Sequence, residues 1–403
     1  MCRSVLSRRV ACLVAASLAA AALSAGGSAL GVDRAPSAAF SSASSRTRHY
    51  EYVVRDGATS VYDIDRGHKL VDTIELPQTK AVRGVMTSAA THMLYISYGG
   101  DGGAEGHGSM LKYDLVARRI VWTRSYPTGV DSGAITPNGK TIYLPTGEND
   151  LGGHWDVIDA RSGAVTHEIS GGAGPHNTIV SLDGKHVYLG GHDADYLAVA
   201  ETRTNKVIRR IGPLKHGIRP FTINGKETLA YTTATGFLGF QVSSIVTGKV
   251  LYTVSPKGFG YDSKSFPLST PSHGISLSPN ERQLYLLDAA NNYVHVYDVS
   301  RVPAAVPRRI ADIKLTKPIA GKDSPCASDL CDRFGWLQHS RSGRYLYVGD
   351  SGDVIDTLTR HSVLNLEPLH NTRKMIEIDW RNGVPVFTTS RIGIGRVIRK
   401  RSR

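Results

Sequence analysis

Cysteine is scarce in this chain, with four in 403 residues. None stands in a CxxCH pattern, which excludes haem attachment through that motif. There is no GxSxG nucleophile elbow, and no length remains for a separate hydrolase domain. The glycine runs at 99–108 and 152–153 lack the lysine and following helix of a phosphate loop, so they read as loops. No HExxH or His-x-His spacing marks a metal centre. Asp350, Asp353 and Asp356 echo a calcium loop but lack its spacing.

Glycine is plentiful, with 42 residues, as tight turns at positive φ require. Hydrophobic content of 41% with 21% charged residues describes an ordinary globular chain. Residues 174–211 set the pattern. They read as four short strands (177–182, 185–189, 196–200 and 207–211) with the turn pair Asp183-Gly184 between the first two. No helix-length periodicity interrupts them. Similar segments recur: GVMTS with MLYIS, TIYLP with WDVIDARSGAVTHEI, GFLGFQVSSIVTGKVLYTV, ISLSPNERQLYLLD with YVHVYDVS, and RYLYVGD with KMIEIDW. A recurring four-stranded antiparallel meander predicts a β-propeller.

Counting predicts an all-β fold of seven blades. Residues 50–76 supply three strands without an innermost partner, six repeats follow, and residues 384–389 remain as one strand to complete the first blade. Closing the ring in this way leaves no open sheet edge. The extra length falls in 257–270, 302–332 and 351–370, which read as long loops. The propeller is assigned to 49–390, preceded by a disordered Ser/Ala-rich lead-in at 31–48.

The repeats resemble the YVTN family of β-propellers. SLDGKHVYLGG with LAVAETRTNKVIRRI carries the likeness best, together with the second and fifth repeats, over roughly residues 50–390. The resemblance implies an exported protein and the propeller fold, without a particular reaction. Similar propellers include lactonases, haem- or quinone-linked oxidoreductases and plain binding proteins.

Both ends of the chain differ from its body. Arg3, Arg8 and Arg9 precede an apolar run at 10–22, and small residues follow, so 1–30 reads as a secretory signal peptide. Its removal takes Cys2 and Cys12 with it. Cys326 and Cys331, bound for an oxidising space, are then expected to pair as a local disulfide. The tail 391–403 holds six basic residues and no acid. Subtracting these six and the three signal arginines from the formal +13 leaves about +4, so the body is not strongly basic. The tail is a solvated end or a contact for anionic cell-wall polymer, and sequence-specific nucleic-acid binding is not expected.

In a meander blade, the residues that begin each innermost strand share one mouth of the central channel. Counting back from the turns places Arg83, Asp131, His176 and His273 there; in the fourth repeat the count lands on Gly217, with His216 and Arg219 beside it, and in the sixth on Gly335, next to Trp336. Loops on the same face add His192 and Asp288. Imidazoles, arginines and carboxylates converging on a concave site suit an anionic ligand or a divalent metal, for which His176, His273 and Asp131 are the candidate ligands. The expected protein is a monomeric binding module acting through this face. An enzyme on the same face, either a metal-assisted lactonase or a cofactor-linked oxidoreductase, is the main alternative. A cell-surface interaction protein is the third.

Overall fold

The computed structural model describes residues 46–99, 102–262, 264, 270–320, 323–325 and 333–390. The signal-like segment, Cys326, Cys331 and the basic tail lie outside these residues, as does the lead-in up to residue 45. Arg48, assigned above to the lead-in, already opens the first strand.

Strands β1 (Arg48–Arg55), β2 (Ala58–Asp63) and β3 (Lys69–Glu75) come first. Blade one holds β4 (Val82–Ser88), β5 (Met93–Tyr98), β6 (Ser109–Asp114) and β7 (Arg119–Ser125). Blade two holds β8 (Ala134–Ile135), β9 (Thr141–Pro145), β10 (Trp155–Asp159) and β11 (Val165–Ile169). Blade three holds β12 (Pro175–Val180), β13 (His186–Gly191), β14 (Leu197–Glu201) and β15 (Lys206–Ile211). Blade four holds β16 (Ile218–Ile223), β17 (Leu229–Ala234), β18 (Phe237–Ser244) and β19 (Val250–Val254). Blade five holds β20 (Ile275–Leu277), β21 (Gln283–Asp288), β22 (Tyr293–Asp298) and β23 (Arg308–Lys314). Blade six holds β24 (Trp336–His339), β25 (Tyr345–Gly349), β26 (Asp353–Asp356) and β27 (His361–Asn365). The chain ends in β28 (Lys374–Arg381) and β29 (Val384–Thr388).

Each of the six blades is an antiparallel meander, and the seventh sheet runs β29-β28-β1-β2-β3. The protein is therefore a seven-bladed β-propeller closed by C-terminal strands joining the N-terminal blade. Three details depart from the reading above. Residues 302–332 are not simply a long loop, because β23 (Arg308–Lys314), the outer strand of blade five, lies within them. KMIEIDW does not end blade six; it forms β28, the strand that pairs along β1 from Arg48↔Trp380 to Val54↔Lys374. The closing partner of β1 is thus β28, and residues 384–388 add a fifth strand on the other edge of β28. Blade six finds its own third and fourth strands inside 351–370, which therefore is not a long loop.

Burial follows strand position. The second strand of a blade is buried on both faces, because a neighbouring blade covers each side. The fourth strand lies at the rim, and β7 and β11 are mostly exposed. In every blade the third and fourth strands slip by a β-bulge, which increases the local twist of the outer edge. The third residue of each second strand is a fully buried tyrosine: Tyr50, Tyr95, Tyr143, Tyr188, Tyr231, Tyr285 and Tyr347. Several hydroxyls reach the next blade. Tyr95 donates to the Ala160 carbonyl, Tyr143 to Asn205 Oδ1 and Tyr188 to Glu227 Oε2, at 3.3, 3.1 and 2.7 Å. The bulky ring fills the wedge between blades while its hydroxyl finds a partner.

Candidate functional site

Six inner strands, β4, β8, β12, β16, β20 and β24, together with β28, converge at the channel mouth. Arg83 is the second residue of β4, and Asp131 just precedes β8. His176 and Arg219 are the second residues of β12 and β16, and His273 precedes β20. Trp336 opens β24, and Arg373 stands immediately before β28. Each blade thus sends one polar or aromatic residue to the same place, as the repeat geometry demands.

These residues touch. His176 Nδ1 donates to Asp131 Oδ2 at 2.9 Å, and Arg83 reaches the same oxygen at 3.2 Å. Arg83 also donates to Glu148 Oε1 at 3.3 Å, and Arg219 donates to Glu148 Oε2 at 2.9 Å. The His176 ring centroid lies 6.2 Å from that of His273 and 6.3 Å from that of His192. His273 Nδ1 donates to the Gly335 carbonyl at 3.0 Å, and its ring centre is 5.7 Å from that of Trp336. Arg373 completes the circle, 3.4 Å from His273 and 5.5 Å above the Phe334 ring.

Asp288 does not join this group. It accepts from Asn291 and stands 3.1 Å from His295 Nε2, inside its own blade. The Asp350, Asp353 and Asp356 series also disperses. Asp350 lies near Arg373, Asp353 accepts from Ser351 and Thr316, and Asp356 binds Arg344.

Glu148, Asn177, Phe334, Arg373 and Lys374 also line the mouth, although no turn count pointed to them. Glu148 is placed by its neighbour. Gly147 has φ +122°, and a Cβ there would lie 2.1 Å from the Gly102 carbonyl oxygen. Only glycine lets these two loops stack closely enough to bring Glu148 between Arg83 and Arg219.

Electrostatics tie the group together. Burial pushes the Asp131 carboxyl up, but Arg83 and His176 outweigh it and hold it well below the usual carboxylate range. Glu148 behaves alike: burial raises it, and His176, Arg83 and Arg219 bring it to about 2. Burial lowers His273 well below its ordinary value, aided by Arg373, Arg219 and His176. Burial, then Arg83, lowers Arg373 to about 10. With Nδ1 committed to Asp131, Nε2 is the ring atom that His176 has left for a ligand. That atom is buried without a hydrogen-bond partner, as are both amide atoms of Asn177.

Of the three candidate metal ligands, Asp131 and His176 come together with Glu148, each offering an atom within 4.8 Å of the others. His273 falls outside that trio. A second cavity of about 440 Å³ lies further along the channel. It is mainly apolar, lined by Val85, Ala134, Ile179, Ile376, Val386 and Phe387, so β29 forms one of its walls.

No protein-family model matches the chain, and no curated protein matches it. The fold and the mouth define its class, a seven-bladed β-propeller repeat protein with a buried polar cluster at one end of the channel.

Proposed function

We propose that this is an exported propeller of the YVTN type, working as a binding module whose channel mouth takes a small ligand carrying an anionic group. The observation that carries this reading is the set of buried polar atoms at the mouth with nothing to bond: His176 Nε2 and the Asn177 amide. Such atoms cost stability unless a ligand or water satisfies them. Charge selects the ligand class. Four cationic side chains, Arg83, Arg219, Arg373 and Lys374, stand at the mouth against two carboxylates, Asp131 and Glu148. A divalent ion fits less well, because guanidinium groups already lie against both carboxylates. The approach is from the ring face, where Arg83 and Glu148 keep 17% and 21% side-chain exposure.

The test is calorimetric titration of the mature protein with inorganic phosphate and malonate. Wild type should bind at least one of them saturably. Arg83→Ala and His176→Ala should each bind about 10- to 100-fold more weakly, as expected for loss of a charge-assisted hydrogen bond. No binding of either anion by wild type, or unchanged affinity in both variants, removes the proposal.

An enzyme at the same face is the second reading, and the Asp131–His176 pair favours it. A carboxylate holding Nδ1 and leaving Nε2 toward a cavity is the arrangement of an oriented general base. Lactone turnover that disappears in His176→Ala would establish it over simple binding. Export rests on residues 1–30, and cell fractionation with N-terminal sequencing of the mature chain checks it.

A further inference from the structure

A second polar cluster lies along the closing strands. Asp379 is six residues along β28 from Arg373, which places it well away from the mouth. His49 pairs opposite Asp379, and Glu51 opposite Glu377. The two-residue period of a strand therefore sets all four side chains on one face of the β1–β28 pair. That face is turned to blade six, since Val53, next in the same row, packs with Trp336, Tyr347 and Val354.

His49 Nδ1 lies 2.8 Å from Asp379 Oδ1 and 3.4 Å from Glu377 Oε1. One ligand atom from each of the three falls within 4.8 Å of the others. Glu51 is 0% exposed, and neither of its carboxylate oxygens has a hydrogen-bond partner. A buried carboxylate without hydrogen bonds or counter-charge is strongly unfavourable. Arg341, from the first turn of blade six, is a fixed cation on the group, its guanidinium paired with Asp379 and its backbone N–H donating to Glu377.

We propose that this cluster is a divalent transition-metal site, with His49, Glu377 and Asp379 as ligands and the buried Glu51 carboxylate beside them adding negative charge, which fastens β1 to β28. Charge supports it. Three carboxylates against the Arg341 guanidinium, the groups seen to meet among the described residues, fall two positive charges short of neutrality when His49 is neutral, and a dication supplies two. One imidazole with carboxylate oxygens suits Zn²⁺ or Mn²⁺, whereas Ca²⁺ takes six to eight oxygens. His49 keeps 34% side-chain exposure and gives the ion a way in.

The experiment loads the mature protein with Zn²⁺ or Mn²⁺, removes free ion by dialysis, and measures bound metal and the thermal midpoint. Wild type should hold one ion per chain and unfold at a higher temperature with it. Glu51→Gln removes only a buried charge and should stay folded, yet bind the metal roughly tenfold or more weakly and lose the thermal shift. His49→Ala, altered at a partly exposed position, should do the same. Substoichiometric metal in wild type overturns the proposal, as does wild-type affinity in both variants. Loss of the ion in His176→Ala with His49→Ala unaffected places it at the mouth, and likewise overturns it.

Discussion

Histidine takes three different states in this protein according to what surrounds it. His176 is anchored by Asp131 and keeps one ring nitrogen for a ligand, which makes it the centre of the binding proposal. His49 sits among carboxylates, which raise it to about 10. His68 and His339 are buried, and burial lowers them to about 4 and about 3. These last two make acid sensitivity predictable. Between the ordinary histidine range and pH 4 the unfolded chain takes up protons at both positions and the folded chain does not. Stability contributed by the neutral rings is therefore present above about pH 6.5 and lost as pH falls, by up to about 1.4 kcal/mol per pH unit for each ring. His339→Gln should flatten the acid limb of the thermal midpoint against pH by one proton's worth. An unchanged slope would mean that His339 already carries its proton in the folded state.

At the scale of the strand, β28 and β29 divide the work that residues 384–389 alone were expected to do. Two-residue turns and alternating strands made the first two strands of six blades legible, because each leaves a local mark. The last blade left none. KMIEIDW alternates like any strand, and nothing local says whether it ends one blade or begins the next. The same misplacement hid Arg373 and Lys374, which stand where the seventh blade's mouth residue belongs. A chain ending after Gly383 should keep its ring but lose the packing of buried Pro385 and half-buried Phe387, at a cost of roughly 1–3 kcal/mol. A chain ending after Thr372 leaves β1 without its inner partner and should show no cooperative transition. Differential scanning calorimetry separates the two. Equal behaviour of both truncations would show that β28 does not close the ring.

Across the whole molecule, closure joins residues more than 300 positions apart: Trp380 donates to Tyr52 at 3.0 Å, and His49 meets Asp379. The β1–β28 pair is hydrogen-bonded along its full length. If it forms one unit with the ring, its amides should exchange with solvent as slowly as those of β5 and β13, through global unfolding alone. Faster exchange in β1 and β28 would reveal a ring that opens at its seam.

Propeller architecture, blade number and four positions at the mouth (Arg83, Asp131, His176 and His273) were readable in the chain because they repeat, and repetition turns a three-dimensional arrangement into a spacing. Asp288 was misread for the same reason: spacing placed it in a loop on the right face, but its side chain turns to Asn291 and His295. Glu148 reaches the mouth through a loop contact at Gly147, and the four-residue cluster on β1 and β28 exists only through a cross-strand register between the chain's two ends. No local pattern encodes either one, because the physical link is a contact between segments far apart in sequence.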